Sequence, residues 1–283
     1  MLSDDAMRLG IKTSPIDILV SSDTGDRRRD DIVCHRCSMS LPQRSLICVT
    51  DDVMVTSPAL TFLQLAAPPR RGAAPMSVES LAMIGFELCG TYLLDESWDG
   101  LTNTSFPLTS VSKIAHVIES MKGAPGATLA RDALKLVRDG SNSPMESVLC
   151  ALLTWPRRLG GYALGPVSLN HHVVTAFGER YVDLAFPEHG VGLEYKGRAF
   201  HAIEQVSRDD RRHNELVGSG WTILNVWYED IVEEHLYDQL VAEVARAMGV
   251  RLRVRSDSFD SRRRLLRMKL IPAFRKYAAS LSI

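Results

Sequence analysis

The sequence predicts a mixed α/β protein with two domains and a helical extension. Residues 1–140 indicate an α+β domain, residues 141–250 an α-β-β-β-α-β-α domain with a mixed central sheet, and residues 251–283 a basic extension. Three observations favour this interpretation. Short β-type runs are separated by tight turns, apolar helical stretches open on serine, and a long amphipathic stretch follows the last strand.

The first 140 residues begin with strands and continue with helices. "IDILVSS" and "DIVCHRC" are β-type runs, and "SLICVTDDVMVTS" is typical of a hairpin with Asp51 and Asp52 in its turn. Ser57 and Pro58 predict a helix start, because a serine cap followed by proline suits the first helical turn. Three more helices are predicted, over residues 77–94 with the helix end near Gly90, over 108–121, and over 126–140 with Gly140 as C-cap.

The second domain opens with "SNSPMES", where a serine and a proline again predict a helix start. "PVSLNHHVVTA", "RYVDLAF" and "GVGLEYK" then predict three strands, and the turns between them are short enough for a meander. "SRDDRRHNELVGSG" predicts a polar-faced helix, "WTILNVWY" a fourth strand, and "EDIVEEHLYDQLVAEVARAMG" a long helix.

Composition and charge limit the classes of function. The chain is 45% hydrophobic and 24% charged with a net charge of −1, as in ordinary globular proteins. Residues 251–283 contain ten basic and two acidic residues, a local charge of +8. Such a segment attracts phosphate backbones, or forms a solvated helix face. Five cysteines without a disulfide-type array, no signal peptide and no membrane-spanning run predict a cytoplasmic protein with free thiols and no membrane partner.

Charged residues interrupt two otherwise apolar strands. Asp183 lies in "YVDLAF" and Glu194 in "GVGLEYK", where Lys196 shares the strand face of Glu194. If the two strands are antiparallel neighbours, register decides whether the two acids meet. Where they do, a divalent cation relieves their repulsion, and oxygen ligands suit Mg²⁺ or Mn²⁺. The carbonyl of Tyr195 is a further candidate ligand, and a structural Glu194–Lys196 ion pair is the alternative.

A third acid, Glu146, lies in the first turn of the helix that opens the second domain. An acid at this place also favours the helix dipole without any catalytic role. The order Glu146, Asp183, Glu194-x-Lys196 on this framework resembles the PD-(D/E)XK nuclease superfamily. It is most similar to the branch of small bacterial domains that resemble very-short-patch-repair endonucleases.

The resemblance extends beyond these four residues. "SPMES", "YVDLAFPEHGVGLEYKGRAFH" and "RDDRRHNELVGSGWTILNVWYEDI" follow the pattern of that branch between residues 143 and 247. "DIVCHRCSMSLPQRSLICVTDDVMVTSPALTFLQLA" resembles the AbiEi-like antitoxin or regulator domain that precedes such nuclease domains. Val182 stands where the superfamily's name has proline, and Lys196 is kept where many of these domains carry aspartate.

The resemblance implies a restriction-endonuclease-like fold. It also implies a metal-dependent endonuclease that hydrolyses phosphodiester bonds in nucleic acid, with DNA favoured over RNA as the substrate. It implies that Asp183 and Glu194 bind Mg²⁺ or Mn²⁺, that Lys196 assists the attacking water, and that Glu146 supports the site. It also implies a role in mobile-element defence or a toxin–antitoxin-like pair, with a cognate protein partner. The alternative is a catalytically inactive nuclease fold that binds DNA or regulates.

Further residues are candidates for a functional role, and each also has a purely structural interpretation. His201 stands where the resemblance places a histidine, for phosphate contact or proton donation, or it is a plain loop residue. The "CHRC" motif has zinc-knuckle spacing, or it belongs to a strand and its exit. Arginines of the helix after the third strand are candidates to bind a phosphate backbone. The alternative is a solvated helix face, because aspartates lie beside them. The candidate nucleic-acid-binding arginines are Arg208, Arg211, Arg212, Arg262, Arg263 and Arg264.

Overall fold

The computed structural model describes residues 15–21, 31–68, 74–95, 100–196, 203–252, 254 and 256–280. These ranges contain ten strands and nine α-helices, so the predicted mixed α/β class is confirmed. The chain divides into two compact units, residues 1–44 and residues 45–283.

The first unit contains a two-stranded parallel sheet. Strand β1 (Ile16–Ser21) pairs with β2 (Ile32–Cys37), with Ile16 opposite Ile32. Cys34 and Cys37 both lie in β2, as the strand interpretation of "CHRC" predicts.

Serine caps open three of the four described helices that precede residue 140, and the fourth, Ala127–Leu134, begins after Gly126. The Ser57 hydroxyl accepts a hydrogen bond from the Leu60 nitrogen (3.3 Å), and the Ser77 hydroxyl accepts one from the Ser80 nitrogen (3.1 Å). The predicted hairpin is also present. The elements of this part are β3 (Leu46–Thr50), β4 (Val53–Thr56), α1 (Pro58–Leu65), α2 (Val78–Cys89), β5 (Tyr92–Asp95), β6 (Gly100–Asn103), α3 (Val111–Ser120) and α4 (Ala127–Leu134).

One predicted helix end is wrong, and one strand was missed. The helix that begins after Ser77 ends at Cys89, next to its predicted end near Gly90, and the residues after it form β5, which pairs antiparallel with β6. The helix predicted to end at Gly140 stops at Leu134. Gly140 instead has φ +89° in a loop, where its nitrogen donates to the Cys89 carbonyl (3.1 Å). Backbone pairing with the end of α2 therefore outweighs the local helical pattern.

Hydrogen bonds join the chain on the two sides of residue 140. The Thr91 nitrogen donates to the Ser141 carbonyl (2.9 Å), and the Tyr92 hydroxyl lies 2.9 Å from the Ser147 hydroxyl. Both sides of this point belong to the same compact unit. The division between units thus lies after residue 44, whereas the sequence suggested a domain boundary near residue 140.

A four-stranded mixed sheet positions the acids singled out in the sequence. Its order is β10-β9-β8-β7. Strands β7, β8 and β9 form the predicted antiparallel meander, and β10 runs parallel to β9 because helix α6 crosses between them. The strands are β7 (Ser168–Thr175), β8 (Gly178–Phe186), β9 (Val191–Lys196) and β10 (Thr222–Trp227), and the helices are α5 (Pro144–Thr154), α6 (Ile203–Gly218), α7 (Tyr228–Val232), α8 (Glu234–Ala247) and α9 (Asp257–Ser280).

Helix α6 packs on the sheet through a small apolar cluster. Leu216 is fully buried in this cluster, and Gly192 of β9 leaves room for the side chains of Val182 and Ile223. A Cβ at Gly192 would lie 2.6 Å from the Val182 side chain and 2.8 Å from that of Ile223. This packing seats α6 on β7 and β10 of the sheet. The cluster consists of Val173, Val182, Ala185, Leu216 and Ile223.

The last two helical predictions are partly confirmed. The helix predicted over 229–249 is interrupted at Glu233, which is extended (φ −85°, ψ 127°), and so forms α7 and α8. The basic extension is helical, as predicted, but α9 packs against α5 and buries Phe259, Leu266 and Leu270. None of the helices in the described part of the chain combines the length and apolar character that a membrane crossing requires.

Candidate active site

The register of β8 and β9 brings two carboxylates together. Leu184 lies opposite Leu193, so one step further in the same register Asp183 lies opposite Glu194. Opposite residues of antiparallel strands share a sheet face, and their side chains are neighbours. The Asp183 Oδ2 atom accepts a hydrogen bond from the Tyr195 nitrogen (2.9 Å). Of the registers that the sequence left open, the structure has the one in which the acids meet.

Glu194 is buried beside two cationic side chains. It is 3% exposed, and its Oε2 atom accepts a hydrogen bond from Lys196 Nζ at 2.7 Å. A terminal nitrogen of Arg212 lies 3.1 Å from Oε1, but the angles do not make a hydrogen bond. Within the described residues, Oε1 is therefore buried without a donor. An unsatisfied buried carboxylate oxygen is uncommon and is open to a further ligand.

Glu146 is held at the N-terminus of α5. Its nitrogen donates to the Ser143 hydroxyl (3.2 Å), and its Oε2 atom accepts from the Asn142 nitrogen (2.9 Å). This reciprocal pattern is close to a capping box, so Glu146 caps the helix, in addition to the favourable position in the helix dipole that was its alternative. Burial, with the charge of nearby Asp183 as a second cause, raises the pKa of Glu146 to about 8. The capping carboxyl thus also lies in the field of the strand acid.

Asp183 likewise resists ionisation. Burial is the largest cause and raises its pKa to about 6, while the hydrogen bond from the Tyr195 nitrogen opposes the shift. The charge of Glu194 raises the pKa further, and Arg212 and Lys196 lower it. Burial raises both carboxyl pKa values most, the neighbouring acid adds to each shift, and a bound divalent cation would favour the ionised forms.

Replacing Glu146 with glutamine should change the pH dependence of stability. The folded-state pKa of Glu146 lies above its ordinary value of 4.5, so the folded protein retains a proton that the unfolded chain loses. Stability is therefore lost as pH rises from 4.5 to about 8. Glutamine keeps the acceptor for the Asn142 nitrogen without the charge. We expect it to raise the free energy of unfolding at pH 8 by on the order of 3 kcal/mol.

Urea unfolding of both proteins at pH 5, 6.5 and 8 measures this difference. Glu119→Gln, at an exposed glutamate that pairs with Arg131, serves as the matched control and should leave the pH profile unchanged. Identical pH profiles of stability for the Glu146 variant and the parent protein would contradict the raised pKa of Glu146 in the folded protein.

A cleft of ≈ 610 Å³ opens beside the carboxylates. It contains Asp183 and two of the predicted nucleic-acid-binding residues, exposed Arg211 and half-buried Arg212. Arg180, also in the cleft, is paired with Glu215 at 2.5 Å. The cleft is lined by Asn142, Asn170, Glu179, Arg180, Tyr181, Asp183, Arg211, Arg212 and Glu215.

Asn170 is a cleft residue that sequence reasoning missed. It lies opposite Asp183 in the register of β7 and β8, and its φ of +45° interrupts the regular pairing there. Its side-chain nitrogen donates to the Gly140 carbonyl at 2.6 Å. Asparagine adopts positive φ more readily than other non-glycine residues, so an asparagine inside an apolar strand was the available signal.

The arginines of α9 lie elsewhere. Arg263 is buried, and its guanidinium contacts Asp238, Glu234 and the Tyr162 hydroxyl. Arg264 pairs with Glu234 at 3.0 Å, and the Arg262 side chain donates to the backbone carbonyl of residue 157. These contacts tie α9 to the body of the unit, and none of the three arginines lines the cleft. His201 and the side chain of Arg208 lie outside the described residues.

The residues present fit a hydrated divalent cation. Among the described residues, no group of three or more His, Cys, Asp or Glu side chains is close enough to hold a metal ion by itself. Mg²⁺ does not need one, because it is commonly held by one or two carboxylates with water and substrate phosphate. Asp183 and Glu194 supply two carboxylates, one with an oxygen that has no donor. The main chain of Tyr195 adjoins Asp183, and ligation by its carbonyl stays a prediction.

Comparison with known proteins found no matching family model, no similar curated protein and no similar solved structure. The resemblance to PD-(D/E)XK nucleases therefore stays a hypothesis.

Proposed function

We propose that the protein is an Mg²⁺- or Mn²⁺-dependent endonuclease that hydrolyses phosphodiester bonds in nucleic acid, with DNA as the favoured substrate. One observation carries the proposal. A buried and a half-buried carboxylate from adjoining strands meet beside an open cleft, and a lysine ammonium lies 2.7 Å from the buried one. The mixed sheet and its flanking helices support the restriction-endonuclease-like architecture that the resemblance implies.

Each residue has a role that follows from its place. Asp183 and Glu194 would hold the cation, through oxygens that face the same side of the sheet. When bound, the cation lowers the pKa of a water molecule and stabilises charge that develops on the phosphate. Lys196 would orient that water or stabilise the same charge from the Glu194 side. Glu146 supports the site by capping α5 next to Asp183.

The cleft supports a polyanionic substrate. Arg211 is exposed there, and a guanidinium binds phosphate through paired N–H donors. Tyr181 is 47% exposed in the same cleft and offers an aromatic face for stacking on a base. A role in mobile-element defence or in a toxin–antitoxin-like pair with a cognate protein is supported by the resemblance alone.

Nicking of supercoiled plasmid tests the proposal directly. We expect the protein to convert supercoiled DNA to open circles with Mg²⁺ or Mn²⁺ and not with EDTA. Glu194→Ala and Lys196→Ala should each abolish the conversion. Activity that survives both changes, or needs no metal, would refute the proposed site. A labelled RNA in a parallel reaction identifies which nucleic acid is cleaved.

A second candidate function is supported by the charges around Glu194. Lys196 and Arg212 already balance this carboxylate, so the site is chemically consistent with a nuclease fold that binds nucleic acid and does not cleave it. That protein would bind DNA with an affinity that Glu194→Ala leaves unchanged, and it would nick no substrate with either metal.

A further inference from the structure

Arg212 is placed over Glu194 by the packing of α6. It lies one helical turn before Leu216, which is fully buried against the sheet, so both side chains project from the same side of the helix. The Arg212 guanidinium donates to the Tyr181 carbonyl and approaches Glu194 Oε1 at 3.1 Å. The side chain is 38% exposed and lines the cleft. It therefore joins the carboxylate site to the open space where a substrate would lie.

The contact between Arg212 and Glu194 is incomplete. Among the described residues, Glu194 Oε1 and Arg212 Nε are both buried and have no hydrogen-bond partner. A well-formed arginine–carboxylate pair uses two parallel hydrogen bonds, and here neither forms. Glu194 already has a complete partner in Lys196 on its other oxygen. The guanidinium thus neutralises Oε1 electrostatically without occupying it as a donor.

We propose that Arg212 is an internal cation that competes with the divalent metal for Glu194 and so sets the metal affinity of the site. This inference rests on the proposed metal-dependent function. The guanidinium and a divalent cation cannot both approach Oε1 closely, because like charges at such separations repel strongly in a half-buried site. Metal binding therefore requires the Arg212 guanidinium to move away from Glu194, into a cleft that has room for it.

Direct titration with Mn²⁺, in the absence of nucleic acid, tests the competition. Binding is followed by calorimetry and by the loss of the free-Mn²⁺ electron paramagnetic resonance signal. We expect Arg212→Gln to bind Mn²⁺ at least about tenfold more tightly than the parent protein, because one close positive charge is removed. Arg212→Met, which keeps the apolar length of the side chain, should show the same gain and replaces the glutamine variant if that one is unstable.

Arg211→Gln is the matched control. It removes the same charge from the neighbouring position of the same helix and the same cleft, but Arg211 is exposed, and of these two arginines it is Arg212 that pairs with Glu194 in the described structure. Its Mn²⁺ affinity should stay within about twofold of the parent value, since an exposed charge is screened by water.

The outcomes separate this inference from the proposed function. Equal Mn²⁺ affinities in the parent protein and both Arg212 variants would overturn the competition and leave the metal site standing. An equal gain in the Arg211 and Arg212 variants would show a general charge effect and would also overturn it. Binding in the Arg212 variants alone would support it most strongly. If neither the parent protein nor any variant bound Mn²⁺, the proposed metal site itself would be refuted.

Discussion

Asp183→Asn is expected to lower the rate of metal-dependent cleavage about 1000-fold, since ~4 kcal/mol of transition-state stabilisation corresponds to three powers of ten. Asparagine keeps the size of the side chain and an oxygen that accepts the hydrogen bond from the Tyr195 nitrogen. The end of the β8–β9 pairing should therefore survive. The negative charge that would hold the cation is lost, and Glu194 alone cannot replace it.

Single-turnover cleavage of a labelled duplex, with Mn²⁺ titrations on the same samples, measures this effect. Glu179→Gln is the matched control, because Glu179 lines the cleft on the same strand but is exposed and lies beside His172. It should cleave at close to the parent rate. If Asp183→Asn retained the parent rate, the carboxylate pair could not be the metal site.

Arg263→Ala is expected to lower the free energy of unfolding by about 2 kcal/mol, because the partners of a buried cation are left without it. Arg263 is 6% exposed and links α9 to α8 through Asp238 and Glu234. It also donates to the Tyr162 hydroxyl at 3.3 Å. The partners are themselves half-exposed, so water offsets part of the loss.

Urea unfolding measures the loss, and a filter-binding assay on the folded variant measures nucleic-acid affinity. Arg264→Ala is the control, since exposed Arg264 shares the Glu234 partner and should cost less than about 0.5 kcal/mol. We expect the affinity of folded Arg263→Ala to match that of the parent protein. A stable variant with weakened binding would restore the nucleic-acid role that the basic sequence suggested.

Local signals made several elements of the fold predictable from sequence. Ser57, Ser77 and Ser143 open helices because a hydroxyl next to the first turn satisfies a backbone donor there. Asp51 and Asp52 form the hairpin turn for a similarly local reason. The β5–β6 hairpin was missed, because the apolar run from Tyr92 continues a helical pattern and only pairing with β6 makes it a strand.

In the candidate site, too, some features could be predicted from the sequence and others could not. The sequence by itself determined that Asp183, Glu194 and Lys196 are charged residues in apolar strands, and that a carboxylate there needs a partner. It also singled out Glu146, because a serine three residues earlier marks a helix start.

Only the tertiary structure decided which of these residues meet. The β8–β9 register sets Asp183 opposite Glu194, and the packing of Leu216 brings Arg212 over Glu194. Chain folding likewise made Arg263 a buried anchor instead of a free basic residue. Caps and turns depend on neighbours within a few residues, which a sequence displays. Strand register and helix packing depend on burying surfaces that are far apart along the chain, and these are settled only when the whole core forms.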